Sequence, residues 1–416
     1  MKKDWLLFIT AILISAIGLT TLYSTEIGEE SFISGGTLNR QVIALVLALI
    51  LYFVASRINY QYLGHLQIFI PLVVGMVVAL ILMLLFAPEI NNAKRWIMLG
   101  GFRLQPSEFA KIVVIISTAG ILALKDRYNV WILAAISALP VGIVCLLIFV
   151  SPDASTALLT FLVWGVIVFT LLPHQLRNFV FIVITILLAV LINMRFTLTL
   201  PYILLLLAPV VLCLVWLFFI KQGPKVVIVV SLIAGMILGI GFNFTWKNVL
   251  SDQQKNRIEA FRNPQEHSQD IAFQVRQSEI AIGSGMIFGK GFGHGKQTKL
   301  KFLPEHQTDF IFASYAEEFG LVGALLLLTL YGFLIFRTIH IATLSTDIFG
   351  SLICIGIATK IMLEVFINIG MNLGVIPATG IPLPLMSKGG SIILATMLCL
   401  GLVQSVFANR DLLDRS

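Results

Sequence analysis

Leu303-Pro304-Glu305-His306-Gln307-Thr308-Asp309-Phe310 closes the one long polar stretch of this chain, Thr245 to Thr308, and opens onto an apolar run near 310–336. Asp309 therefore stands at the mouth of a segment long and apolar enough to enter a membrane. Hydrocarbon does not tolerate a charge without a compensating role. Working outward, runs of the same kind lie on both sides, near 5–23, 41–56, 67–87, 107–124, 131–150, 155–173, 177–194, 199–220, 225–244, 348–372 and 389–408. With 310–336 they make twelve expected spans, each close to the roughly 20 residues that hydrocarbon requires.

The bulk numbers agree. The 416 residues are 58% hydrophobic and 12% charged, with a mean hydropathy of +0.97. A water-soluble domain leaves too much surface in solvent to hide that apolar content. Short alternating segments of a closed barrel are absent. The fold class expected is an all-α polytopic membrane protein, a single integral domain over 1–416 with one large extracytoplasmic loop at 245–308. The run after Met1-Lys2-Lys3-Asp4-Trp5 is too long for a signal peptide and lacks a small-x-small cleavage site, so it reads as a retained first helix. Cys145, Cys213, Cys354 and Cys399 all fall inside apolar runs at no metal-ligand spacing and read as small core hydrophobes. The net charge of +7 reflects cytoplasmic Lys and Arg, and no basic soluble domain is present to bind nucleic acid.

Lys2, Lys3, Arg57, Lys125, Arg127, Arg177, Lys221, Lys225, Arg337, Arg410 and Arg415 fall on one side of the expected topology and outnumber the basic residues of the opposite short loops, Arg40, Lys94, Arg95, Arg103, Arg195 and Lys388. The positive-inside rule then puts both termini in the cytoplasm. Loops 88–106, 245–308 and 373–388 share the outer face.

Several clusters invite a chemical reading. Gln105-Pro106-Ser107-Glu108 suits a helix start, with an acid at the positive end of the dipole. Lys111, a turn deeper, needs a partner, which Glu108 or an aspartate from another helix can supply. Asp153 suits a cap. Asp252 to Pro264 reads as an amphipathic surface helix ended by a turn. Gly289-Lys290-Gly291-Phe292-Gly293-His294-Gly295 fails the phosphate-loop pattern, since Ser284 and Gly291 stand where glycine and Ser or Thr are required; a backbone cradle for pyrophosphate and a plain turn both remain open. Asp309 can cap the next helix or act as a general base on a sugar hydroxyl. Lys360 and Glu364 read as a self-neutralised pair. Pro377, Pro382 and Pro384 imply irregular backbone of the kind that lines a cavity or is buried in protein.

Jointly these segments resemble the SEDS family (shape, elongation, division and sporulation), typified by RodA and FtsW. The matching residues are Arg95-Trp96, Gln105-Pro106-Ser107-Glu108, Pro152-Asp153, Gln277-Ser278, Ala281-Ile282-Gly283-Ser284-Gly285 and Gly289-Lys290-Gly291. They continue with Leu303-Pro304-Glu305, Thr308-Asp309-Phe310, Glu317-Glu318, Asn368-Ile369-Gly370, Pro382-Leu383-Pro384-Leu385 and Ser387, Gly389-Gly390-Ser391. The Pro-Leu-Pro-Leu segment and short N-terminus look more like RodA. The resemblance implies a peptidoglycan glycosyltransferase in the plasma membrane that polymerises lipid II, leaving undecaprenyl-pyrophosphate-linked glycan on the outer face. It implies that Asp309 is catalytic, and that Arg95, Trp96, Gln105, Ser107, Glu108, Lys111, Gln277, Ser278, Lys290 and Glu305 contact substrate. It implies a class B penicillin-binding protein as partner, with other elongation-complex proteins. It names no cofactor and leaves a divalent cation open.

Three departures stand out. The family usually has ten spans, so two extra helices are expected within 174–244. Lys388 replaces a common tyrosine, and Lys301 a common acid. The rival readings are a lipid-linked precursor flippase, for which repeat symmetry is expected and not seen, the same polymerase chemistry in division, and a non-catalytic scaffold.

Overall fold

The computed structural model describes residues 3–26, 37–89, 94–99, 102–172, 252–262, 271–295 and 306–410. Within them lie eleven helices and one short hairpin. They are α1 (Trp5–Glu26), α2 (Thr37–Arg57), α3 (Leu66–Phe86), β1 (Ile97–Leu99), β2 (Phe102–Leu104), α4 (Pro106–Leu122), α5 (Val130–Val150), α6 (Ala154–Thr170), α7 (Asp252–Arg262), α8 (Ile271–Ser284), α9 (Ile311–Leu344), α10 (Ile348–Asn372) and α11 (Gly390–Asn409). Eight are long and apolar enough to cross a membrane, and the 17-residue α6 falls just short. Nine of the expected runs are thus helices. The runs at 177–194, 199–220 and 225–244, with the two-helix insertion, lie outside the described residues. The surface helix read at 252–262 is α7.

The chain divides into two units, Met1–Leu171 with Gln274–Ser416, and Leu172–Phe273. In the first, α2 packs on α11, α9 on α10, α3 on α4 and α5 on α6. Burial separates the roles of these helices. About four-fifths of the apolar window of α4 and α11 is buried, 78% and 83%, against 17% for α3. Helices α4, α10 and α11 form the centre, and α2, α3 and α5 turn most of their side chains to lipid. With no hydrophobic drive between helices in lipid, close approach depends on small residues. At Gly401 a Cβ would meet the Tyr52 carbonyl oxygen at 2.7 Å, so only glycine lets α2 and α11 lie this near.

Helix α9 is broken. Gly320 has φ +65°, and the amides freed there are taken up by the segment after α8: Leu321 N–H donates to Met286 C=O at 2.9 Å and Val322 N–H to Ile287 C=O at 3.1 Å. Every backbone group at membrane depth needs such a partner.

Candidate active site

Asp309 lies in the turn just before α9, half-buried, and its position is fixed through its main chain. The Asp309 carbonyl accepts from Asn368 Nδ2 at 2.9 Å and Asn372 Nδ2 at 3.0 Å. These amides project from the same face of α10, one turn apart, and both are fully buried. Asn368 Nδ2 also donates to the Ile381 carbonyl at 2.8 Å, and Asn372 Oδ1 accepts from the Ala313 amide at 3.2 Å. The preceding residues are held from the other side. Ser387 Oγ donates to the Thr308 carbonyl at 2.6 Å and accepts from the Leu383 amide at 2.8 Å. Lys388 N–H donates to the Gln307 carbonyl at 2.8 Å, and its Nζ reaches Gln307 Oε1 at 3.0 Å. Gln41 of α2 then secures this strap, donating to the Ser387 carbonyl and accepting from the Gly389 amide, both at 3.1 Å. The proline-rich segment is therefore irregular backbone buried in protein, as expected.

One turn below Asn368 on α10 stands a buried charge cluster. Glu364 binds two ammonium groups, Lys111 of α4 at 2.6 Å and Lys360 at 2.8 Å, and Lys111 also meets Glu108 at 2.8 Å. Two acids and two bases cancel, which is the condition for burying them. The expected Lys360–Glu364 pair is present, but as half of a larger network. The expected Glu108–Lys111 pair is present as well, and the partner from another helix is a glutamate, Glu364, rather than the aspartate expected. Because Lys111 serves two carboxylates, its charge is already compensated within the cluster. Glu108 Oε2 is buried with no hydrogen-bond partner.

The N-terminal ends of α4, α6 and α11 meet around Gln105. Its amide donates to Ser391 Oγ at 2.8 Å, and its Nε2 donates to Ser107 Oγ at 3.0 Å and to Asp153 Oδ2 at 3.1 Å. Ser391 Oγ donates to the Arg103 carbonyl at 3.1 Å. Asp153 is the N-cap of α6, accepting from Thr156 N–H. Arg95 donates to the carbonyls of Ser151, at 3.3 Å, and Pro152. Antiparallel pairing of Ile97 with Leu104 brings half-buried Trp96 to the same end of the hairpin as Gln105. Ser278, on α8, donates to the Asn372 carbonyl at 2.9 Å, with half-buried Gln277 beside it in the chain. Thus Asp309, Ser278, Asn368 and Asn372 are joined by hydrogen bonds, and Glu108 and Lys111 share α10 with them through Glu364. Gln105, Ser107 and Arg95 form a neighbouring group.

Lys290 sits apart, in a clamp on the broken helix. Its Nζ pairs with Glu317 at 2.6 Å; the Lys290 and Gly291 amides donate to the carbonyls of Glu317 and Glu318, each at 3.0 Å. Ser24 Oγ donates to Glu318 and accepts from the Gly293 amide. Those two amides are engaged by α9, which favours the turn over the pyrophosphate cradle. Glu305 and Lys301 lie outside the described residues. Sequence reading missed Asn368, Asn372, Ser387 and Lys388 as site residues. The available signal was a four-residue period of polar side chains, Lys360, Glu364, Asn368 and Asn372, along an otherwise apolar helix.

The fold and site define a multi-pass helical membrane protein whose polar machinery gathers at one end of the bundle. The chain belongs to the FtsW/RodA/SpoVE family of cell cycle proteins, whose profile matches residues 4–206 and 203–412. It is 29% identical to the peptidoglycan glycosyltransferase RodA of Treponema pallidum over 98% of each chain. It is also 29% identical to the probable peptidoglycan glycosyltransferase FtsW of Bacillus subtilis, over 97% of this chain and 90% of that one. The peptidoglycan glycosyltransferase MrdB of Escherichia coli is 43% identical over 41% of this chain and 46% of its own. Among solved structures, one from a peptidoglycan synthase complex that coordinates polymerization and crosslinking superposes with a TM-score of 0.71 at 27% identity, covering 99% of both chains. The rod shape determining protein RodA of Thermus thermophilus gives 0.61 at 25% identity, covering 99% of this chain and 98% of that one.

Proposed function

We propose that this chain polymerises lipid II into β-1,4 glycan with Asp309 as general base, on the outer face of the plasma membrane. Its glycosyltransferase activity rests on full-length kinship with peptidoglycan glycosyltransferases. The observation that carries the assignment of Asp309 is its main chain, gripped by Asn368 and Asn372 while Ser387 and Lys388 hold the two residues before it. A base is effective when its carboxylate is held within hydrogen-bond reach of the proton it removes.

The step is inverting. The 4-hydroxyl of an acceptor GlcNAc attacks the anomeric carbon of MurNAc, the C–O bond to the α-linked pyrophosphate breaks, and the hydroxyl proton passes to Asp309. The pyrophosphate leaves with the bond's electron pair and is stabilised by cations. Lys388 is one candidate for this, supported by its ammonium reaching Gln307 beside Asp309; Arg95 is a second. Gln105, Ser107, Trp96 and Gln277 would position sugar, and the Glu108–Lys111–Glu364 cluster would keep α4 and α10 in register beneath. Both termini lie in the cytoplasm, and a class B penicillin-binding protein is the partner that would crosslink the product.

Asp309→Ala in purified, folded protein should abolish polymer made from lipid II. Retained polymer discards the assignment. Assay of the chain with and without the transpeptidase distinguishes a polymerase from a scaffold, and rod and division phenotypes on depletion separate elongation from division.

A further inference from the structure

Met286, Ile287 and Phe288 follow α8 and are the most conspicuous apolar side chains of the polar region, 79%, 56% and 82% exposed. We infer that these three side chains insert into the interfacial layer of the lipid bilayer, on the face that carries Asp309, and anchor the glycine clamp at a set depth.

Two separate contacts fix the level at which they sit. Met286 and Ile287 accept the amides of Leu321 and Val322, which begin the apolar part of α9. From that break, Leu321–Leu344 rises roughly 36 Å at 1.5 Å per residue, enough to cross about 30 Å of hydrocarbon alone. Gly320 therefore marks one boundary of the hydrocarbon. Leu321, Val322, Leu325 and Leu326, on the same stretch, are each more than half exposed and face lipid. The three loop residues continue that apolar surface directly. On the other side, the loop is tied to the last turns of α1: the Gly293 amide donates to Ser24 Oγ at 3.0 Å, and Phe292 stacks on Tyr23 with ring centroids 6.1 Å apart. Aromatic rings at helix ends mark the membrane–water interface. Ends of two independent spans thus flank the segment.

Exposure of this kind in water would form an aggregation surface; beside two span ends it forms a monotopic anchor. The consequence for the clamp is direct. Lys290 and Gly291 follow Phe288 closely, so wherever the anchor sits, the carbonyls of Glu317 and Glu318 are held at the same depth.

The full chain in phosphatidylcholine–phosphatidylglycerol vesicles tests this. With the four native cysteines replaced, a nitroxide is placed at Phe288→Cys and its collisions with dissolved oxygen and with a water-soluble nickel chelate are compared. Leu325→Cys serves as the lipid reference and Glu89→Cys as the water reference. The Phe288 label should collide with oxygen several-fold more than with nickel, as at Leu325. Nickel-dominated collision, as at Glu89, overturns the proposal. Should the cysteine replacements unfold the protein, benzoylphenylalanine at position 288 of the otherwise unaltered chain gives the same decision. Phospholipid adducts on irradiation support the anchor, and irradiation without them overturns it. Neither readout requires polymerase activity.

Discussion

The carboxylate of Glu364 and the ammonium of Lys111 lie 2.6 Å apart, joining α10 to α4 where neither side chain reaches solvent. Charge balance there depends on four residues together. Glu364→Gln leaves Lys111 and Lys360 with Glu108 as the sole acid of the cluster. Removing one partner of a buried pair costs about 3–5 kcal/mol, so the thermal midpoint of the purified protein should fall steeply. Adding Lys360→Met restores neutrality and should recover part of the loss. Equal melting of the single and double variants would show that the four charges do not act as a unit.

Asn368→Ala removes the donor shared by the Asp309 and Ile381 carbonyls. The carboxylate itself is untouched. Misplacement of a reacting group by about 1 Å can cost on the order of a hundredfold, so glycan yield from lipid II should drop by roughly tenfold to a hundredfold. Asn409→Ala, a like substitution at the far end of α11, should leave turnover unchanged. A similar loss in both would assign Asn368 a purely structural part.

Lys388→Met should slow turnover by roughly tenfold or more if the ammonium stabilises the departing pyrophosphate, and Lys388→Arg should restore most of it. Quantified polymer from radiolabelled lipid II, at saturating substrate, reads both. Equal turnover for Met and Arg variants would remove the cation from the mechanism.

Gly289 (φ +79°) and Gly320 (φ +65°) face each other across the clamp. A Cβ on the first would strike the Glu318 carbonyl and on the second the Gly289 amide. Each Gly→Ala change should lower stability by about 2 kcal/mol or more. The pair should cost less than the sum, because both disrupt one contact. Thermal melts of the three variants decide this; strict additivity would mean that the two strands do not meet.

Much of the bundle was legible in the sequence because lipid makes a simple demand, a long apolar run closed by charged or breaking residues. Helix α4 beginning at Pro106 and the cap at Asp153 follow from local rules that act within one turn. What stayed hidden was distance along the chain. Nothing local tells Lys111 that its second partner is Glu364, or tells the Asp309 carbonyl that its donors are Asn368 and Asn372. Lys360 and Glu364 look like a closed pair because i,i+4 spacing satisfies both on paper, and nothing in that spacing gives the two asparagines further along a partner. The glycine clamp was ambiguous for another reason: free amides in a turn look alike until the carbonyls that take them up, here those of Glu317 and Glu318, are in place.

The four-residue spacing on α10 makes that helix a ruler. Lys360, Glu364, Asn368 and Asn372 form one slowly winding stripe because each step of four overshoots a full turn by only about 40°. A single residue inserted between Glu364 and Asn368 would swing both asparagines away by about 100° while leaving the ions below intact. Length in this segment is thus as constrained as chemistry, and point substitutions on its lipid side should be tolerated far better than any indel.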